Sequence, residues 1–277
     1  MGRPGLSLKS AGRLVGCVVV ASLAATAASA ADLPVPAPVA PAYYPPVYDW
    51  TGIYVGGHFG GGWMNDLVTY PTLTAPTPIV PAGAQTRLSP MGVLGGAQVG
   101  ANIEFAPVVV GVEGTWTASM ISGSDITPGL IVAGNGSSEK ATSNAIFEAT
   151  AAVRIGYAAN DLLFYVKGGG AWMRVDYTQQ VFSGPGSSFN TLQTITDTRA
   201  GFVVGGGFEY GMNENLSLKV EYDYLGFGTK NYTFNNLAFG TLVGLNVVGT
   251  PLGPQSVSVK SQLQMVTAGV NYRFTWR

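Results

Sequence analysis

Charge is scarce in this chain. Its 277 residues include 14 Lys+Arg and 15 Asp+Glu, so only 10% are charged, where an ordinary soluble domain carries about 25%. The net charge of −1 leaves no basic footprint for nucleic acid. There is one histidine, His58, and one cysteine, Cys17. A single imidazole cannot furnish the several His or Cys ligands of an ordinary metal site, so no metal centre is expected. A lone thiol excludes a disulfide framework. No long apolar run follows the first thirty residues, so no mature helical span is expected. Intrinsic disorder is excluded as well, because 47% of the residues are apolar. What the chain does have is glycine, at 39 residues about twice the usual share. An apolar, poorly charged, glycine-rich chain without a long run suits a transmembrane β-barrel. Its strands alternate faces and hide their hydrophobicity from any window average.

The first thirty residues read as an address. Arg3, Lys9 and Arg13 precede an apolar run from Leu14 to about Ala27, which closes on Ala28-Ser29-Ala30. A basic start, an apolar core and a small-x-small site define a cleaved secretory signal over residues 1–30. Leu14-Val15-Gly16-Cys17 resembles a lipobox, but the apolar core follows the cysteine here instead of preceding it. Cleavage after Ala30 removes Cys17 and three of the basic residues, leaving 247 residues with 11 Lys+Arg and 15 Asp+Glu. Thiol chemistry then drops out. Residues 31–49 hold six prolines, at 34, 36, 38, 41, 45 and 46. Such a stretch favours extended polyproline II and reads as a periplasmic tether.

From residue 50 to the end the period becomes two. Over 216–224, Leu216, Leu218, Val220, Tyr222 and Tyr224 oppose Ser217, Lys219, Glu221 and Asp223. Over 266–276, Val266, Ala268, Val270, Tyr272, Phe274 and Trp276 share one face, with Arg273 and Asn271 on the other. Segments 145–157 and 202–210 alternate in the same way, the first with Ala145, Phe147 and Val153 opposite Ile146, Glu148 and Arg154. Segments 50–64, 91–105 and 108–119 follow less strictly. In 162–177, an inward Lys167 forces Arg174 outward, which suits only a position near the membrane surface. One apolar and one polar-or-small face is the strand signature. The joints alternate as well. Those near 106–107, 158–161 and 212–215 are short, while those near 65–90, 120–142, 178–197 and 230–258 are long. Four long and three short joints predict an all-β, eight-stranded antiparallel up-and-down transmembrane β-barrel over 50–277, with four long exterior loops. Aromatics near both strand ends fit the two interfacial girdles.

Eight strands enclose little more than their own side chains. The inward phase collects Glu113, Glu148, Glu209, Glu221 and Asp223 with Arg154, Lys167, Arg199, Lys219 and Arg273. Five acids facing five bases predict a salt-bridged, narrow or closed lumen, because an unpaired charge there is costly. A sixteen-strand diffusion pore would need a longer chain. His58 falls on the inward phase beside Tyr54, and position 60 is Gly60, so the His-x-Ser pairing of small-barrel lipid A hydrolases is missing. The glycine triplets 60–62, 168–170 and 205–207 lack the Lys-Ser/Thr of a phosphate loop. No catalytic residue is expected, and the chain reads as a non-enzyme.

Asp49-Trp50-Thr51-Gly52-Ile53-Tyr54-Val55-Gly56-Gly57, the Ala31-Asp32-Leu33-Pro34 start, the Pro/Tyr tether and the terminal Val270-Asn271-Tyr272-Arg273-Phe274 carry a resemblance. The sequence is similar, over essentially its whole mature length, to the alphaproteobacterial 25/31-kilodalton outer-membrane proteins of the OmpA-like barrel superfamily. That resemblance implies an eight-stranded surface barrel in the cell outer membrane, contributing to envelope integrity. It also implies partners: outer-membrane lipids, lipopolysaccharide, and the barrel-insertion machinery acting on the C-terminal strand. Family members commonly end at the terminal Phe, whereas this chain continues Thr275-Trp276-Arg277. Some relatives bind hemin, and a hemin receptor is the alternative function. Its candidate axial ligands are Tyr70 and Tyr232, placed on exterior loops. A soluble periplasmic β-barrel carrier is the third reading.

Overall fold

A computed structural model describes residues 48–70, 83–128, 138–182, 191–234 and 255–274. Residues 1–30, read as a leader, residues 31–47 of the proline-rich segment and the Thr275-Trp276-Arg277 extension lie outside them. Nine strands follow one another: β1 (Gly52–Thr69), β2 (Gln85–Leu88), β3 (Met91–Phe105), β4 (Val108–Pro128), β5 (Ser138–Ala159), β6 (Leu162–Phe182), β7 (Thr191–Gly211), β8 (Leu216–Phe234) and β9 (Gln255–Phe274). Every pairing is antiparallel; β1 pairs both β2 and β3, each later strand pairs the next in sequence, and β1 pairs β9 from Ile53↔Phe274 to Thr69↔Ser258, which closes the sheet. Closure leaves no edge to pair in hydrocarbon.

Nine strands make eight staves. β2 and β3 lie end to end along one side of β1, at Asp66↔Leu88 and Trp63↔Met91, with Ser89-Pro90 between them. Pro90 has no N–H to give the ladder; its carbonyl still accepts from Met64 N at 2.8 Å. A Cβ on Gly123 of β4 would meet Pro90 Cα at 2.6 Å, so only glycine fits behind the break.

The strands outrun the boundaries that alternation suggested. The segments 65–90, 120–142, 178–197 and 230–258, read as loops, carry strand on both flanks, and β4 to β7 each span 21 or 22 residues. A tilted strand crosses an apolar band with about 9–11 residues, so half of each stave stands clear of it. The two halves have opposite polarity. Nearer the short turns, outward Ile53, Val55, Phe59 and Trp63 on β1, and their counterparts Val108 to Met120, Ile146 to Tyr157, Phe202 to Tyr210 and Val266 to Phe274, form an exposed apolar belt; Phe59 is 72% exposed and Met120 79%. Beyond this belt the inside becomes apolar, with Met64, Val68, Ile121, Met173, Val175, Leu225, Phe234, Val259 and Leu263 in one buried cluster. The outside there carries Thr, Ser, Asn and Gln, with charged residues such as Arg87, Arg174 and Lys260 among them.

Phase shifts accompany the change of zone. Near Ala145/Phe147 the β5–β6 register slips, so Ala145 turns inward although strict alternation with Phe147 puts it outside. A second slip lies between Gly226 and Thr229 of β8, where Gly228 takes φ +65°. Each inserts a residue that the partner strand does not match, the signature of a β-bulge.

Candidate functional site

The lumen at belt level is built from alternate residues of eight strands, β1 and β3 to β9. All ten charged side chains assigned inward from the sequence are buried. Eight of them form one ion-paired lattice. Glu113 sits at its centre, accepting from Lys219 Nζ at 3.1 Å, Arg154 Nη1 at 3.4 Å and Lys167 Nζ at 3.5 Å. Arg154 Nη2 reaches Glu209 at 2.8 Å, and Arg273 Nη2 lies 3.6 Å from the same carboxylate. Lys167 pairs Glu221 at 2.7 Å and Asp223 at 2.9 Å, and Lys219 approaches Glu221 at 3.5 Å. The lattice thus holds four acids and four bases. Charges this deep require such balance, because the cost of dehydrating an ion is recovered only by close partners.

The other two stand apart. Arg199 lies above the lattice and donates to the carbonyls of Phe227, Gly228 and Val259 at 3.2, 2.8 and 3.1 Å, and to Tyr177 and Ser261. It satisfies the backbone acceptors that the β8 bulge leaves without ladder partners. Glu148, paired in register with Thr117 and Met173 at the edge of the apolar zone, enters no ion pair among the described residues. The ten are therefore one network of eight plus two separate groups. The bulge positions that divide them leave no mark in the alternation.

Neutral groups complete the lattice. Tyr54 OH donates to Glu113 at 2.8 Å and accepts from Arg154 at 2.9 Å; Tyr165 OH donates to Glu221 at 2.6 Å, and its ring lies 4.0 Å beneath the Arg154 guanidinium. His58 Nδ1 meets Gln98 Oε1 at 2.7 Å, Gln98 Nε2 donates to Asn271 at 2.6 Å, and Asn271 Nδ2 donates to Glu209 at 2.9 Å. Ending on a carboxylate fixes the direction of that chain. Gln98 must present its oxygen to His58, so Nδ1 carries a proton and Nε2 faces Thr117 Oγ1 at 2.9 Å. Both phenols lay on the inward phase and could have been read from it. The lumen also holds Asp66, hydrogen-bonded by Ser143 at 2.7 Å, a sixth inward acid that lies past the expected end of its strand.

Aromatic side chains gather at the turn-side end. Tyr48, assigned to the tether, is instead buried with Trp50, Val109, Leu163 and Tyr165. Tyr48 N donates to Asp161 at 3.1 Å and Trp50 N to Glu104 at 2.9 Å. Arg273 donates to Tyr48 OH at 3.2 Å and to the Trp50 carbonyl, and its guanidinium lies over both rings. A Cβ on Gly211 would strike the Tyr48 ring at 2.4 Å, so the bare backbone there makes the room.

The hemin candidates occupy other places than the surface loops assigned to them. Tyr70 is 1% exposed and Tyr232 6%. Tyr232 OH donates to Asp197 at 2.7 Å and its ring tilts against Tyr177. Both belong to the apolar interior beyond the belt, where the strands continue through what alternation marked as loop.

A closed antiparallel barrel with a lipid-facing belt, aromatic ends and an ion-paired interior is an integral outer-membrane protein. The chain belongs to the family described as outer membrane protein beta-barrel domain, whose model matches residues 17–274. It is 29% identical over 267 residues to the 31 kDa outer-membrane immunogenic protein of Brucella melitensis biotype 1, covering 93% of this chain and 99% of that one. It is 27% identical over 245 residues to the 25 kDa outer-membrane immunogenic protein of Brucella abortus biovar 1, covering 87% of this chain and 85% of that protein. Among solved structures, the outer membrane protein OprG of Pseudomonas aeruginosa aligns with 82% of this chain and 99% of its own, at 13% identity and a TM-score of 0.47.

Proposed function

We propose that this protein is a structural surface barrel, sealed along its axis, that contributes to envelope integrity and displays exterior loops. The observation that carries this reading is the lattice around Glu113 and Arg154 with the Tyr48–Trp50 closure beneath it. Both place mutually bonded side chains across the barrel interior, which supports a sealed lumen. A general-diffusion pore needs a wide hydrated lumen. An enzyme needs a titratable group free to act, whereas His58 and the lattice carboxylates are committed to partners. The exposed apolar belt speaks against the soluble carrier. For a hemin receptor, neither Tyr70 nor Tyr232 offers its phenol at the surface. The partners consistent with this reading are outer-membrane lipids, lipopolysaccharide and the insertion machinery.

Planar-bilayer recording tests it. The folded protein should give no stable openings on the nanosiemens scale. Sustained large openings from the unmodified protein would overturn the sealed-barrel reading.

A further inference from the structure

Immediately beyond the loop-side edge of the belt, three neighbouring staves bring Arg87 of β2, Leu67 of β1 and Lys260 of β9 into one cross-strand row. Arg87 and Lys260 point outward and are exposed. Neither makes an ion pair or side-chain hydrogen bond with a described residue. Two strand spacings separate their backbones by roughly 10 Å, so two like charges face one gap with nothing between them but an apolar side chain. The flanking joints supply no counter-ion, since residues 71–82 and 235–254 contain no Asp or Glu.

The gap is a groove of about 330 Å³ at the break in the second stave, lined by Arg87, Ser89, Asn65, Lys260 and Gln262 as well as Leu67. Asp66 lies at its floor, but that carboxylate turns inward to Ser143. Two outward positions nearer the membrane than Leu67, Trp63 closes the belt, 6.5 Å from the Tyr222 ring. The groove therefore stands at headgroup height, with two cations, two amides and a hydroxyl above an aromatic that marks the interface. Guanidinium and ammonium groups with amide donors beside them suit a phosphate attached to a sugar.

We propose that this groove holds a phosphate of a phosphorylated glycolipid, the lipid A moiety of lipopolysaccharide, in the outer leaflet. The proposal rests on the lipid partnership given above and on the long joints facing outward, as in bacterial barrels generally. It assigns that partnership to Arg87 and Lys260.

The test uses the purified, folded chain in detergent micelles, with bis-phosphorylated lipid A as the probe. Binding should weaken at least tenfold in the Arg87→Gln/Lys260→Gln double variant. It should weaken similarly for the unmodified protein offered lipid A stripped of its phosphates, and it should fall with added salt. Lys230→Gln, removing an inner-face cation already paired with Asp197 at 2.8 Å, should leave binding unchanged. Equal binding by the double variant or of the dephosphorylated lipid would overturn the site. Equal affinity for phosphatidylglycerol would overturn the glycolipid assignment. Each variant is first checked for heat-dependent gel migration, and loss of that shift in the unmodified chain would strike the barrel reading instead.

Discussion

Arg154 bonds two carboxylates and a phenol while stacking on a second ring, so removing it strands Glu113 and Glu209 with fewer cations than charges. Arg154→Met should cost about 3–5 kcal/mol of stability, the usual penalty for orphaning a buried ionic partner. The check is unfolding by denaturant in micelles, followed by tryptophan fluorescence. An effect near zero would show that the lattice is hydrated and loose. Arg199→Met should act differently. It touches carbonyls of the β8 bulge and of β9, so its loss should speed amide hydrogen exchange around 226–229 and 259 while exchange at 108–113 stays unchanged.

Strand by strand, the exterior extensions respond to their own chemistry. Beyond the belt on β7, Asp197 is bonded by Lys230 and Tyr232 of β8. Partial burial pushes its carboxyl up, but these two partners outweigh that and hold it below the ordinary range. A carboxyl lowered in the folded state stabilises above its unfolded value, and that contribution fades as pH falls through the folded value. Acidification below about pH 4 should therefore loosen the β7–β8 extension, seen as faster exchange over 191–198, and Asp197→Asn should remove this pH dependence. At this scale the sequence was legible only in part. Strict parity carried Lys167 inward and Arg174 outward, as the structure has them, and brought every lattice residue to the inner face. It did not carry the bulges near Ile146 and Gly226. A bulge is a mismatch between two strands, and neither strand shows it alone. The extensions read as loops because their outer faces are Ser, Thr and Asn, the residues that also build turns. Tyr48 was hidden for a similar reason: prolines upstream marked a tether, whereas its burial depends on Gly211, far along the chain.

As a whole molecule, the barrel pairs every stave with two neighbours and leaves no edge at belt level. It should resist dodecyl sulfate until boiled, so boiled and unboiled samples of the outer-membrane fraction should migrate differently. Identical migration, with the protein recovered in the soluble periplasmic fraction, would contradict closure in the membrane.

The exchange of polarity between the two zones has a consequence for how the barrel rides in the bilayer. Sinking by one pleat would draw outward Asn65 and Gln262 into hydrocarbon, and rising by one would lift Trp63 and Met120 into water. Either displacement is opposed, so vertical position is fixed by the wall itself and does not depend on the loops. Insertions or deletions at the loop tips can then alter what the cell presents without changing the depth at which the barrel floats.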